Sequence, residues 1–272
     1  MTSTIFFSSA GLISLICAAI VWRGSSQTQS DRSNSANTIV GLMAVAIGLN
    51  IWAIHLVDSV TAEGINFTLA TGVAVSTLIV QCIYTLGVIR HGIQGLGLFL
   101  LPATAIPLFI IPVLPEAHAA NWVHTSSLLE TSHLLLSLIS YAVLTLAAIH
   151  ALMQILLDRA LKKKRMSKMI QALPSLVSIE RHMMAQVKAA TILIALSILT
   201  GLVWQWVEYQ HFALLNHKVL LAIFTLAVLI TLMVKRQQAS WPTRLASRAV
   251  LTAYTLLMLA YFGVKLITSW VN

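Results

Sequence analysis

Charge is what this sequence has least of. Lys, Arg, Asp and Glu make up 9% of its 272 residues, where a soluble globular chain carries roughly 25%. So few charged side chains cannot build a water-facing surface, which excludes an ordinary cytosolic enzyme. The 58% hydrophobic content excludes a disordered chain. Cysteine is nearly absent. Cys17 and Cys82 stand alone in apolar runs and form no Cys-x-x-Cys pair, so the chain is not itself a thiol–disulfide exchanger. Both read as buried apolar fillers. Phosphate-binding loops, His-Glu-x-x-His helices, Gly-x-Ser-x-Gly elbows and dinucleotide fingerprints are also missing from any supporting context. No catalytic residue is assigned, and an enzymatic role is not expected. Carboxylates inside the apolar runs are scarce as well, so the usual intramembrane group of a proton-driven pump is lacking.

What is present is a series of apolar runs. Most are about 17–25 residues long, enough at about 1.5 Å per residue to cross a hydrocarbon layer about 30 Å thick, and the fifth is long enough to project from it. Eight spans are expected, at 4–22, 38–57, 68–89, 96–113, 128–157, 189–207, 216–234 and 247–268. The fold class is therefore all-α, a polytopic membrane bundle formed as a single unit over 1–272. The first span has no basic segment before its apolar run, which argues against a cleaved signal peptide. The tract SSQTQSDRSNSAN after it reads as a soluble loop. The fourth span carries Pro102, Pro107 and Pro112, each removing a backbone donor, so a kinked helix is expected there. The stretch LPSLVSIERHMM suggests a turn at Pro174 leading into a short amphipathic helix at the membrane surface.

Threading eight spans in order segregates the charge. Arg23, Arg32, Arg90, Arg159, Lys162, Lys163, Lys164, Arg165, Lys168, Arg181, Lys188, Lys235, Arg236, Arg244 and Arg248 share one side. The other side holds Lys218 and Lys265 with Asp58, Glu63, Glu116, Glu130 and Glu208. This is the positive-inside pattern, and it places both termini on the outer, periplasmic side. The net charge of +9 is thereby mostly topology. The densest basic stretch, a cytoplasmic loop over 158–188, suits anionic lipid head groups. No aromatic platform is interleaved with it, so nucleic-acid binding is not expected.

Against this background, nine histidines outnumber eight acidic residues. His55, His118, His124, His133, His211 and His217 fall in the outer half, and His91, His150 and His182 in the inner half. Imidazole in a low-dielectric bundle is costly unless hydrogen-bonded or coordinated. Neutral imidazole suits Zn, Cu and Fe, and a pair on opposed helices can hold haem iron axially. His133, His55 and His217 are the candidate metal ligands, since each lies within a turn or two of the same membrane surface. Trp52 precedes His55 by three residues and shares its helical face. Trp204 and Trp206 lie just before the outer boundary, where rings anchor helices at the interface and could also pack on a flat macrocycle. His91 and His150 could form a deeper site, although nothing fixes them as partners.

The stretch HLLLSLISYAVLTLAAIHAL, opening at His133, resembles the His-(x)6-Ser-Tyr-Ala signature of a core helix in the cytochrome c assembly (CcsA/ResC-like) haem-handling superfamily. LPSLVSIERHMM and LTAYTLLMLAYFGVKLI resemble the YpjD-type inner membrane proteins of Gram-negative bacteria, a HemX-like branch of it. The resemblance implies a multi-pass protein of the bacterial inner membrane, with His133 as an external axial ligand and His55 as an intramembrane one, holding haem b. Family members that attach haem carry a WGxxWxWDPKE-like segment, where this chain has GLVWQWVEYQHFALLNHKVLL. Trp204 and Trp206 echo the aromatic part, and Asn216, His217 and Lys218 stand in place of Asp-Pro-Lys. The histidine that follows the last helix in those proteins is also missing. The expectation is a haem-binding protein accessory to cytochrome c or other haem protein assembly, acting with a membrane or periplasmic protein partner. The alternatives are a structural or regulatory subunit that binds a partner through its basic cytoplasmic loops, and a small-solute transporter.

Overall fold

The structure is a computed structural model, and it describes residues 2–24, 29–57, 60–61, 64–66, 68–114, 122–123, 127–164, 173–210, 216–238 and 241–260. Eight α-helices lie within them: α1 (Thr2–Gly24), α2 (Gln29–Leu56), α3 (Leu69–His91), α4 (Gly97–Ile110), α5 (Leu128–Lys162), α6 (Leu176–Tyr209), α7 (His217–Gln237) and α8 (Thr243–Met258). Seven helical segments, including one from Gln94 to Val113, are long and apolar enough to cross a membrane. The chain is a multi-pass helical membrane protein. The eighth expected span, 247–268, is described through Ala260, and the rest of it lies outside the described residues.

One small addition to the helices is a three-stranded antiparallel sheet of β1 (Val60–Thr61), β2 (Gly64–Asn66) and β3 (Trp122–Val123). Val60 pairs with Ile65, and Ile65 with Val123. The α2–α3 and α4–α5 connections are therefore tied together by backbone hydrogen bonds.

Three expectations about helix limits change. The polar tract after α1 is helical from Gln29 onward, as the start of α2. It contains neither Gly nor Pro between Gln29 and the apolar run, so nothing stops the helix from propagating outward. The separate surface helix after Pro174 is instead the first part of α6, which runs unbroken to Tyr209. Its buried stripe of Ile179, Met183, Val187, Ala190, Ile194, Ser197 and Gly201 keeps helical spacing through the charged region. Of the basic segment 158–188, α5 takes in the residues up to Lys162 and α6 those from Leu176, and 165–172 lie outside the described residues. The fourth span holds Pro102 and Pro107 inside α4 and closes through Pro112 in a 3-10 turn, Ile111–Val113. Thr104 Oγ1 donates to the Leu101 carbonyl at 2.9 Å, three residues back on the same helix.

Packing divides the chain into two compact units: 1–59 with 70–114 and 156–178, and 60–69 with 115–155 and 179–272. In the first, Phe7 and Ala10 of α1, Ala46 and Ala53 of α2, Ala74 of α3 and Leu108 of α4 form the core. A buried polar chain crosses three of these helices. Gln81 Nε2 donates to Ser14 Oγ at 3.2 Å, and Asn50 Nδ2 donates to Gln81 Oε1 at 3.3 Å.

The second unit is a four-helix core. Tyr141, Leu144, Ala147 and Ala151 of α5 meet Met183, Val187, Ala190 and Ile194 of α6, Leu229 and Leu232 of α7, and Ala246, Val250, Ala253 and Leu257 of α8. Its many alanines let the backbones approach closely, as membrane helices require. Tyr141 of the Ser-Tyr-Ala stretch donates its hydroxyl to the Leu257 carbonyl at 3.1 Å, joining α5 to α8. On the opposite side of α6, Ile192, Leu196, Leu199 and Val203 are exposed. An apolar outer stripe over an apolar core suits lipid as the surrounding solvent.

Candidate haem-ligand site on the α5–α6 seam

Within the second unit α5 and α6 are antiparallel, because their contacts rise along one helix as they fall along the other. His133 meets Ser197, His150 meets His182, and Gln154 meets Glu180. His133 is in the second turn of α5, and its side chain turns onto α6. Its Nδ1 lies 2.7 Å from the Ser197 carbonyl oxygen. A carbonyl can only accept, so Nδ1 carries the proton and Nε2 holds a lone pair. No described residue hydrogen-bonds Nε2. In metal-ligating histidines the same pairing of Nδ1–H with a backbone carbonyl fixes the tautomer and ring direction and leaves Nε2 for the metal.

Three further residues hold that geometry. Ser137 Oγ donates to the His133 carbonyl at 2.7 Å, one helical turn back. Its oxygen also lies 2.7 Å from Ser197 Oγ. Since the Ser137 proton is committed to a carbonyl, Ser197 is the donor of that contact. Ser197 Oγ is additionally 3.4 Å from His133 Nδ1, a secondary acceptor beside the carbonyl. Gly201 is the fourth member of this group. A Cβ at that position would stand 2.8 Å from both Cε1 and Nδ1 of His133, so the absence of a side chain on α6 is what admits the ring. Ser137, Ser197 and Gly201 were not singled out from the sequence. The available signal was polar or small residues on the inward stripes of two apolar helices.

The other expected ligands are placed as follows. His55 is exposed in the last turn of α2, with the exposed Trp52 ring 5.9 Å away. The shared helical face expected for this pair is therefore realised. His217 is exposed at the first position of α7, where Asn216 caps the helix by accepting from Lys218 N. Trp204 is half-buried and packs edge-on against Tyr209 at 5.7 Å, while Trp206 is exposed. Trp204 follows Gly201 by one helical turn and so stands beside the His133 seam on α6. His118, His124 and His211 lie outside the described residues. Among the described residues, no group of three or more His, Cys, Asp or Glu side chains is placed to hold a metal ion. A single imidazole held in this way is the kind of ligand that axial haem ligation uses.

The basic end of the same four helices carries a polar cluster that sequence reasoning also missed. Glu180 of α6 is ion-paired with Arg236 of α7, and it accepts from Gln154 of α5 and Thr243 Oγ1 at 3.5 and 3.3 Å. Ser247 of α8 donates to Gln154 Oε1 at 2.7 Å, and Arg236 Nη1 donates to the Trp241 carbonyl at 2.8 Å.

Comparison with known proteins places the chain in a family. A family model described as "Cytochrome C assembly protein" matches residues 35–271. The Inner membrane protein YpjD of Escherichia coli K12 is 27% identical over 241 residues, which is 87% of this chain and 86% of that protein. The Protein HemX of Brevibacillus brevis is 30% identical over 152 residues, covering 55% of this chain and 56% of HemX. An Azospirillum brasilense sequence, "Uncharacterized 28.8 kDa protein in nifR3-like 5'region", is 35% identical over 136 residues, half of each chain. The chain thus spans about half the length of the last two relatives and most of the first. Matched by the family model over most of its length, it belongs to the cytochrome c assembly protein family.

Proposed function

We propose that this protein binds haem at the outer face of the bacterial inner membrane and serves as an accessory in the assembly of cytochrome c or another haem protein. The observation that carries the reading is the His133 imidazole, with Nδ1–H held by the Ser197 carbonyl and the Nε2 lone pair uncommitted among the described residues. Family membership supplies the ligand class, and the His133 geometry suits it. His133 would be one axial ligand, with His55 or His217 as the candidate second ligand and Trp52, Trp204 and Trp206 as candidate ring-packing surfaces. A bound b-type haem would supply iron coordination, and the protein's own contribution is orientation and shielding. The complete tryptophan-rich Asp-Pro-Lys motif is absent from GLVWQWVEYQHFALLNHKVLL, so covalent attachment is left to a partner protein. In this reading both termini face the periplasm, and the basic connections face the cytoplasm and its anionic lipids.

Haem titration of the detergent-purified protein tests the assignment. His133→Ala is expected to weaken binding by on the order of tenfold or more, the usual scale for loss of a metal ligand or its orienting partner. Of His55→Ala and His217→Ala, the variant that shifts the Soret maximum identifies the second ligand. Equal haem affinity in wild type and His133→Ala would contradict the proposal.

A further inference from the structure

At the basic end of the second unit the inward-facing polar groups are matched, while a cation on the outward face is not. Inside, Glu180 pairs with Arg236, and Ser247 of α8 donates to Gln154. The next residue, Arg248, lies on the other face of α8, exposed, and no described residue hydrogen-bonds or ion-pairs with it. Ala246, Ser247, Val250, Ala253 and Leu257 are the buried side of this helix. Arg244, Arg248 and Thr252, at intervals of four, form an exposed stripe opposite them. Thr255, also exposed, has its hydroxyl committed to the Leu251 carbonyl at 3.0 Å, and the stripe turns apolar at the exposed Leu259. Two features place it at headgroup depth. The expected apolar span begins at 247, beside Arg248. Half-buried Trp241 stands at the preceding turn, its carbonyl held by Arg236 Nη1 at 2.8 Å, and an indole there marks the membrane–water boundary. No Asp or Glu follows Glu208 in the sequence, so neither α7 nor α8 carries a carboxylate to neutralise Arg248.

We propose that the Arg244–Arg248–Thr252 face of α8 binds one anionic phospholipid, with its phosphate on the Arg248 guanidinium and its acyl chains along the deeper part of the helix. A guanidinium at this depth loses part of its hydration, and its long stem lets it reach phosphate oxygens instead of acyl chains. Its planar fork of donors matches a phosphate, which accepts two parallel hydrogen bonds from it. Arg244, one turn nearer the water, adds positive charge above the phosphate. Thr252, one turn deeper, offers a hydroxyl toward the glycerol esters, and Leu259 beyond it gives the chains an apolar surface. The face holds two cations and no carboxylate, so a lipid of net negative charge is favoured over a zwitterionic one. This site lies outside the densest basic stretch, 158–188, and it does not depend on haem binding at His133.

The test is native mass spectrometry of delipidated, detergent-purified full-length protein titrated with phosphatidylglycerol. Wild type is expected to hold one phosphatidylglycerol per chain in preference to phosphatidylcholine. Arg248→Gln should weaken that binding by about tenfold, the scale of a lost charge-assisted hydrogen bond, and Thr252→Val by several-fold. Arg248→Lys keeps the charge without the fork and should fall between Arg248→Gln and wild type. Lys218→Gln removes the same charge from an exposed position at the other end of α7, and it should bind as wild type does. Thr252→Val carries the test if Arg248→Gln fails to fold, as judged by its gel-filtration profile. Equal losses in Lys218→Gln and Arg248→Gln would reduce the effect to diffuse attraction and overturn the proposal, as would equal affinity for phosphatidylcholine. Glycerol 3-phosphate bound as tightly as phosphatidylglycerol would make this a soluble-anion site and also overturn it. Lipid binding unchanged in Arg248→Gln, with an altered oligomeric state, would overturn it in favour of a protein contact.

Discussion

At the scale of single residues, His133 is informative because its surroundings decide which nitrogen it offers. The acceptor for Nδ1–H is a backbone carbonyl, which no side-chain substitution on α6 removes. Ser197→Ala should therefore leave the tautomer and the haem affinity nearly intact. It loses the Ser137 contact, worth about 1 kcal/mol, and its thermal midpoint should fall only slightly. Gly201→Ala behaves differently. Its methyl group would stand 2.8 Å from the His133 ring, so either the imidazole rotates or the helices part. Overpacking of this kind costs about 1–3 kcal/mol. The expected outcome is a lower thermal midpoint together with a several-fold weaker or spectrally shifted haem complex. A Gly201→Ala protein with wild-type spectrum and stability would show that the ring has another place to go.

At the scale of elements, α6 shows how a helix carries charge into an apolar bundle. Glu180 has 19% of its side chain exposed and Arg236 has 30%, between the surface and core limits for ion pairs. Glu180→Gln or Arg236→Gln should each cost about 1–3 kcal/mol, because either strands a charge among four helices. The double variant should lose less than the sum of the two, and thermal denaturation of the four proteins in one detergent measures the coupling. The same helix marks the limit of what the sequence reveals. The apolar runs were legible because lipid demands length and hydropathy. The join at 176–188 was not, because Glu180, Arg181 and His182 interrupt the apolar count while the buried stripe from Ile179 to Gly201 continues beneath them. His133 and the Trp52–His55 pair could be chosen from residue type and depth. The Ser197 carbonyl, Gly201 and the His150–His182 contact could not, since each depends on the register of one helix against another.

At the scale of the whole molecule, the proposed topology puts the basic connections on one side of the membrane and His133 toward the other. If the basic connections are cytoplasmic, a single cysteine placed at Lys163 or Gln238 should react with a membrane-impermeant thiol reagent only after the inner membrane is opened. The two native cysteines, Cys17 buried and Cys82 half-buried, would first be replaced by Ala. A cysteine at Leu128, beside the start of α5 and the short sheet, should react in intact spheroplasts. The reverse pattern would invert the topology and move His133 to the cytoplasmic side. The central claim, that His133 Nε2 is a haem ligand, is tested most directly by the absorption spectrum of protein purified from haem-sufficient cells. Wild type is predicted to show a Soret band that is lost in His133→Ala at unchanged expression. A wild-type preparation with no Soret band, or a band that His133→Ala leaves untouched, would contradict it.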